Sequence, residues 1–109
     1  LYRRVMDFFE DHDFLILPSA QVLPFDVEVD WVREIEGVAM ETYVDWMAVC
    51  CVITLTGLPA ISVPAGFSTN GLPVGLQIVG RPRADRAVLD LAHAFERATG
   101  HGRVRPVFD

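Results

Sequence analysis

Few side chains in this sequence could act as a nucleophile or a base. The sequence has three serines, Ser19, Ser62 and Ser68, and none lies in the GxSxG turn that exposes many nucleophilic serines. A nucleophilic serine also needs a base within hydrogen-bonding reach. The chain contains no lysine, so no mechanism with a lysine base or Schiff base can be completed within it. We predict that Ser62, among apolar neighbours, is a buried hydroxyl bonded to the backbone and that Ser68 belongs to a hairpin loop.

The histidines and cysteines form no pattern typical of catalysis or metal binding. We expect His12, His93 and His101 to lie at helix ends or on a polar helix face, as surface or capping residues. Cys50 and Cys51 are neighbours in the chain, which would strain a disulfide, and no CxxC spacing indicates zinc. Because both cysteines lie in an apolar run, we predict buried and unreactive thiols.

The carboxylates are interpreted as structural or solvated groups. Asp45 is the one charged residue in an apolar stretch, and at the first turn of a helix it would interact favourably with the helix dipole. A loose acidic run is expected to lie in solvent, because its spacing shows no convergence on a cation. We therefore predict neither a metal nor another cofactor. The run comprises Asp26, Glu28, Asp30, Glu34, Glu36 and Glu41.

Composition and charge narrow the class of protein. The 109 residues are 51% hydrophobic and 22% charged, which is typical of a globular chain with a packed core. Nine arginines stand against fifteen acidic residues, a net charge of -6, so a nucleic-acid-binding surface is not expected. No segment resembles a signal peptide, which makes the cytoplasm the expected location. The first residue is Leu1 and not methionine, which favours a fragment or a processed product.

The hydrophobic pattern predicts alternating helices and strands, an α/β arrangement. Residues 1–12 are predicted to form an amphipathic helix, residues 14–17 a buried strand ended by Pro18, and residues 19–30 a surface loop. Residues 60–67 and 74–79 are predicted to form an antiparallel hairpin with a type I′ turn at Asn70-Gly71. Glycines in these strands favour a bulge or a close approach. A last helix is predicted from an Asp85 N-cap to a Gly100 C-cap, followed by a frayed tail at 101–109.

The stretch 43–53 predicts an unusually apolar helix. Residues 46–53 are an unbroken apolar run, so we expect a helix that is buried on all sides. It is shorter than the roughly 18 to 20 residues that a bilayer span needs, so no membrane partner is expected. A chain of this size rarely covers one helix completely. We expect that another polypeptide segment, or a second copy of the chain, covers it.

Two motifs resemble the C-terminal portion of the amidase signature family of hydrolases. They are TGLPAISVPAGF at residues 56–67 and NGLPVGLQIVGRP at residues 70–82. Three further segments agree with this resemblance: FLILPSAQVLPF at 14–25, YVDWM at 43–47 and ADRAVLDLAHAFERATG at 84–100. The second motif is the more specific, since a dozen of its positions fit in order.

The resemblance implies that residues 1–109 are a single partial domain, the C-terminal part of a mixed central sheet flanked by helices. It implies hydrolysis of a carboxamide C–N bond by a serine, a second serine in a cis peptide and a lysine. These groups lie N-terminal of the matched region in the family, so no catalytic residue is assigned here and the chain alone is expected to be inactive. The expected partners are the missing N-terminal catalytic segment and a small-molecule amide. The resemblance also implies that the turn after the first strand and the apolar helix form part of the acyl pocket, so the candidate substrate-pocket residues are Ser19, Gln21, Trp46 and Cys50. Ligands gather near strand carboxyl ends, which favours Ser19 and Gln21, and a core position is the alternative for Trp46.

Two alternatives remain. The A subunits of tRNA-dependent amidotransferases are similar in the same motifs, but they typically carry an Asn-Asp pair where this sequence has Trp46-Met47. That difference favours a general amidase. The chain could also be a non-enzymatic module that associates with itself through residues 43–53. The apolar helix, which needs a cover, predicts an oligomer or a complex.

Overall fold

The computed structural model describes residues 1–106, which form a three-stranded antiparallel sheet with helices on both faces. The strand order is β1-β5-β4, and β2 and β3 form a separate two-stranded hairpin. Two 3₁₀ turns lie at Asp45–Met47 and His101–Arg103. The chain is therefore mixed α/β, as predicted. The elements are α1 (Tyr2–Asp11), β1 (Phe14–Pro18), β2 (Glu34–Ile35), β3 (Val38–Ala39), α2 (Ala48–Thr56), β4 (Ala60–Phe67), β5 (Pro73–Gly80) and α3 (Asp85–Thr99).

The central strand β5 carries the core on both of its faces. Successive side chains of a strand point to opposite faces, so Ile78 and Val79 fill two different clusters. Ile78 packs with Val88 of α3. Val79 packs with Phe9 of α1 and Ile53 of α2. The sheet is therefore enclosed between α3 on one side and α1 with α2 on the other.

The predicted hairpin is confirmed as β4 and β5, but the predicted type I′ turn is wrong. Such a turn needs positive φ at both central residues, and of Asn70 and Gly71 only the glycine has it, at 77°. The chain uses a longer connection, in which the Gly71 N–H donates to the Ser68 carbonyl oxygen at 2.9 Å. The Ser68 hydroxyl accepts the Leu72 N–H at 3.2 Å, so this serine lies in the loop as expected. The predicted strand bulge is present at Gly66, where φ is 128°.

The apolar helix differs from its prediction in length and in burial. Thr42 and Asp45 form a turn, in which the Asp45 carboxylate accepts the Thr42 N–H at 2.6 Å, and α2 itself begins only at Ala48. In α2 the side chains of Ile53 and Thr56 are buried, whereas Leu55 is 75% exposed. The helix is therefore covered on one side only within the described chain. No helix in residues 1–106 combines the length and the hydropathy that crossing a membrane requires.

The last helix begins and ends close to the predicted residues. Its first helical residue is Asp85, preceded by Ala84, so the aspartate lies in the first turn and is not the N-cap that the sequence predicted. Gly100 is the expected left-handed C-cap, with φ of 71° and its N–H donating to the Glu96 carbonyl oxygen at 2.8 Å. The predicted frayed tail begins instead with the 3₁₀ turn at His101–Arg103. The end of that tail, residues 107–109, lies outside the described residues.

The small hairpin β2–β3 was not predicted from the sequence. Glu36 and Gly37 connect its strands, and both have positive φ, 48° and 79°. This is the geometry of a two-residue type I′ turn. The Glu-Gly pair between two apolar residues was the available signal, but strands of two residues are too short to show an alternating pattern.

Candidate functional site

Two serine hydroxyls meet at the carboxyl end of β1. The Ser19 Oγ lies 2.6 Å from the Ser62 Oγ of β4, across the central strand. A Cβ atom placed on Gly75 of β5 would lie 2.7 Å and 2.9 Å from these two oxygens. The hydroxyls can therefore approach each other only because β5 has no side chain there. The prediction for Ser62 is wrong, since this residue is exposed and bonds to a side chain and not to the backbone.

Gln21 joins the loop after β1 to the start of α2. Its Oε1 accepts the N–H of Val49 at 2.9 Å, and its Nε2 donates to the carbonyl oxygen of Asp45 at 3.2 Å. The first N–H groups of a helix have no partner within the helix, so the glutamine supplies one from outside. The oxygen and the nitrogen of the side-chain amide are thus both hydrogen-bonded to backbone groups of residues 45–49. Gln21 therefore holds residues 19–25 against the start of α2.

Cys50 lies next to the serine pair. Its Sγ donates to the carbonyl oxygen of Ser19 at 3.0 Å, and the residue is exposed. The predicted burial of this thiol is wrong, because the helix face that carries it has no cover within the described chain. Cys51 is half-buried, and neither cysteine is in a disulfide. A shallow recess of about 170 Å³ lies here, lined by Ser19, Cys50, Ala60, Ile61, Ser62 and Gln77.

Trp46 forms a wall with other aromatic rings. Its ring meets Phe25 edge to face, with centroids 5.6 Å apart, and Tyr43 likewise at 5.9 Å. Tyr43 in turn contacts Trp31 at 6.3 Å, and the Arg33 guanidinium lies 3.8 Å from a Trp31 ring centroid. The indole N–H of Trp46 is buried and has no hydrogen-bond partner among residues 1–106.

The larger cleft of the site lies between this wall and the hairpin. Its volume is about 460 Å³, within the range of small-molecule pockets. Residues 18–25 line one side, and Trp46 with residues 73–75 lines the rest. None of these lining residues carries a charge. Three of the four candidate pocket residues, Ser19, Gln21 and Trp46, therefore line one cleft, while Cys50 and Ser19 line the adjoining recess.

Among residues 1–106, the site holds no base that would activate a serine. No histidine or carboxylate lines the cleft in the part of the chain that the structure describes. His12 lies at the end of α1 with its Nδ1 3.0 Å from the Phe8 carbonyl oxygen, His93 is exposed, and His101 starts a 3₁₀ turn beside Phe67. Within residues 1–106, no three His, Cys, Asp or Glu side chains are grouped as a metal site would need. The described residues therefore offer an uncharged cleft with a pair of hydroxyls beside it and no general base next to them.

Sequence reasoning missed three members of the site. Ser62 was assigned to the core, and Phe25 and Gln77 were not singled out. The glycines of the hairpin were the one available signal, because a glycine in a strand indicates a close approach, and Gly75 is the residue beneath the serine pair. The sequence could not identify the approaching group.

The acidic run that the sequence predicted to lie in solvent is exposed at every position: Asp26, Glu28, Asp30, Glu34, Glu36 and Glu41.

Known proteins share both the sequence and the fold of this chain. The family model described as Amidase matches residues 1–89. The chain is 42% identical over 99 residues to the A subunit of the glutamyl-tRNA(Gln) amidotransferase of Dehalococcoides mccartyi strain 195, a match that covers 90% of this chain and 19% of the relative. It is 43% identical over 97 residues to the protein of the same name from Brevibacillus brevis, with 87% and 18% covered.

A solved structure adds a match in three dimensions. A bacterial aryl acylamidase of the amidase signature family superposes with a TM-score of 0.84 at 28% identity, covering 97% of this chain and 23% of that one. The chain thus spans about a fifth of the length of the curated relatives it matches. With a family model over most of its residues and this structural agreement, the chain belongs to the amidase signature family.

Proposed function

We propose that this chain is the C-terminal part of an amide hydrolase domain and forms part of the wall of its substrate pocket. The reaction adds water to a carboxamide, breaks its C–N bond and releases a carboxylic acid and an amine or ammonia. The observation that carries the proposal is the uncharged cleft beside the Ser19–Ser62 pair, in a chain of the amidase signature family. The similar solved structure is an aryl acylamidase, which supports an amide substrate.

In this proposal the nucleophile and its base lie outside residues 1–109. A serine without an adjacent base is a weak nucleophile, and this chain has no lysine. Its own residues position and enclose the substrate. Gln21 fixes the loop that forms one side of the cleft, the serine pair supplies hydroxyls at its edge, and Trp46 supplies an apolar wall.

The partner we propose is the catalytic segment of the same domain. Both edge strands of the sheet, β1 and β4, have one unpaired side, and strands added there would extend it into the larger mixed sheet of the family. The uncovered face of α2, with Leu55 75% and Val52 43% exposed, would then be buried. Covering such apolar side chains stabilises a complex by about 25 cal/mol per Å² removed from water.

The test compares the chain with a protein that also carries the catalytic segment. We expect release of amine or ammonia from carboxamides by the longer protein and none by the 109-residue chain. Native and intact mass of the purified chain then identify what covers α2. Association with the lysine-containing catalytic segment supports the proposal. Recovery of carboxamide hydrolysis when the chain and that segment are mixed would confirm it. Absence of hydrolysis from the longer protein with every carboxamide tried would refute it.

A homo-oligomer of the chain is the second candidate, favoured by the same exposed face of α2. It predicts a native mass that is a multiple of 12.1 kDa, with no other polypeptide. Membership of a tRNA-dependent amidotransferase is the third, since the two curated relatives named above are components of such enzymes by name. It predicts that glutamine is hydrolysed only in the presence of accessory subunits, whereas a general amidase hydrolyses simple amides alone.

A further inference from the structure

We infer that the cleft beside Trp46 selects amides with an uncharged aromatic group and discriminates against amino-acid amides such as glutamine. This inference rests on the proposed function and specifies its substrate class. It is drawn from three features of the described residues: the chemistry of the cleft lining, the arrangement of its aromatic rings, and the charges next to it.

The lining offers an apolar surface with few polar groups. Leu23, Phe25 and Trp46 line the cleft together with prolines at its ends. The polar side chains there are those of Ser19 and Gln21, and both are already hydrogen-bonded within the protein. A ligand group that carries many hydrogen-bonding atoms would lose water here without replacing it, which disfavours binding. An apolar group gains from the same burial.

The rings favour an aromatic occupant over an aliphatic one. Phe25 and Trp46 both line the cleft and meet edge to face, at an interplanar angle of 81°. Aromatic pairs prefer edge-to-face or offset contacts, because the face of a ring is negative and its edge positive. A third ring placed in the cleft can make such contacts with this pair. Tyr43 also meets the Trp46 ring edge to face, at 89°, and does not line the cleft.

The charges nearby disfavour a ligand with a carboxylate. Among the described residues no cation lines the cleft, so these residues offer an α-carboxylate no partner for the water that it would lose. The chain that leaves the cleft after Phe25 carries Asp26 and Glu28, both exposed. Arg33, the one basic residue between positions 26 and 45, contacts the Trp31 ring and the Asp30 carboxylate, the latter at 3.3 Å. A neutral aromatic amide meets none of these penalties.

Trp46 is the residue that we expect to set this selectivity. The experiment measures kcat/KM of the longer protein for 3-phenylpropionamide, hexanamide and L-glutamine. We expect the aromatic amide to exceed hexanamide by about tenfold and glutamine by a hundredfold or more. Trp46→Ala should remove most of the aromatic preference, and Trp46→Phe, which keeps a ring and removes the unpartnered N–H, should restore much of it. Tyr2→Ala is the matched control, since Tyr2 is an exposed aromatic residue of α1 that does not line the cleft, and it should leave the ratio of aromatic to aliphatic rates unchanged.

The possible failures are distinguishable. If glutamine or hexanamide is the preferred substrate, or if Trp46→Ala leaves the ratio unchanged, the inference is wrong while amide hydrolysis stands. If the longer protein hydrolyses no amide, the proposed function fails, and binding alone decides the inference. Saturation-transfer NMR on the wild-type protein compares the binding of phenylpropionamide with that of hexanamide. The same measurement tests the inference if the Trp46→Ala variant does not fold. Equal signals from the two amides would overturn the inference, and a stronger aromatic signal that glutamine fails to displace would support it.

Discussion

The Gly75→Ala substitution tests the geometry of the serine pair. The new Cβ would lie 2.7 Å from the Ser19 Oγ, 2.9 Å from the Ser62 Oγ and 3.0 Å from the Ser19 Cβ, all closer than ordinary contacts. Alanine in a strand is otherwise better than glycine by about 0.5–1 kcal/mol. The two serine oxygens end short side chains and can rotate away, which forfeits their hydrogen bond of about 1 kcal/mol, and the close approach to the Ser19 Cβ requires a shift that costs about 1 kcal/mol. We expect a net loss in the free energy of unfolding of about 1 kcal/mol from the sum of these effects.

Urea denaturation followed by circular dichroism measures this loss. Proteins of this size lose about 1–3 kcal/mol of stability per molar urea, so the midpoint should fall by about 0.5 M. The control is the same substitution in a Ser19→Ala/Ser62→Ala background, where both hydroxyls are gone and one close contact, with the Ser19 Cβ, remains. There Gly75→Ala should cost little or should stabilise. A loss of equal size in both backgrounds would refute the reasoning, because it would show that the hydroxyls do not meet above Gly75.

Three further substitutions test the elements around the site. Gln21→Ala should lower stability by about 1 kcal/mol in thermal unfolding, because the Val49 N–H loses its acceptor, whereas Gln21→Glu retains an acceptor and should cost less. Gly71→Ala should lower stability by about 1–2 kcal/mol because Gly71 has positive φ, whereas Asn70→Ala should cost less than 0.5 kcal/mol. Equal costs at the two positions would instead indicate a type I′ turn, in which both residues have positive φ. Arg81→Ala removes a 3.1 Å ion pair with Asp13 and the hydrogen bond that the Arg81 Nε donates to the His12 carbonyl oxygen at 3.1 Å. It should cost about 1 kcal/mol, and only the ion-pair part of that cost should shrink in high salt.

Secondary structure was predicted well where the residues of one short segment are enough to determine it. The amphipathic first helix, the strand β5 and the left-handed Gly100 each depend on neighbours in the chain, and each is present, although burial along β5 does not alternate. The wrong predictions concern two segments in which the chain forms a different turn from the one that the sequence favours. A five-residue connection takes the place of the predicted type I′ turn. In the second case the Asp45 carboxylate accepts the Thr42 N–H in a turn, and α2 begins only after this turn, at Ala48.

The sequence by itself determined the family, the α/β class, and the absence of a lysine base, since motif order and composition do not depend on folding. Only the tertiary structure decided the site. Ser19 and Ser62 are 43 positions apart, and a strand between them without a side chain lets their hydroxyls meet. The same holds for the exposure of Cys50, because burial depends on which surfaces pack together and not on the hydropathy of one segment. Long-range proximity arises from strand order and register, which no local pattern in this sequence encodes.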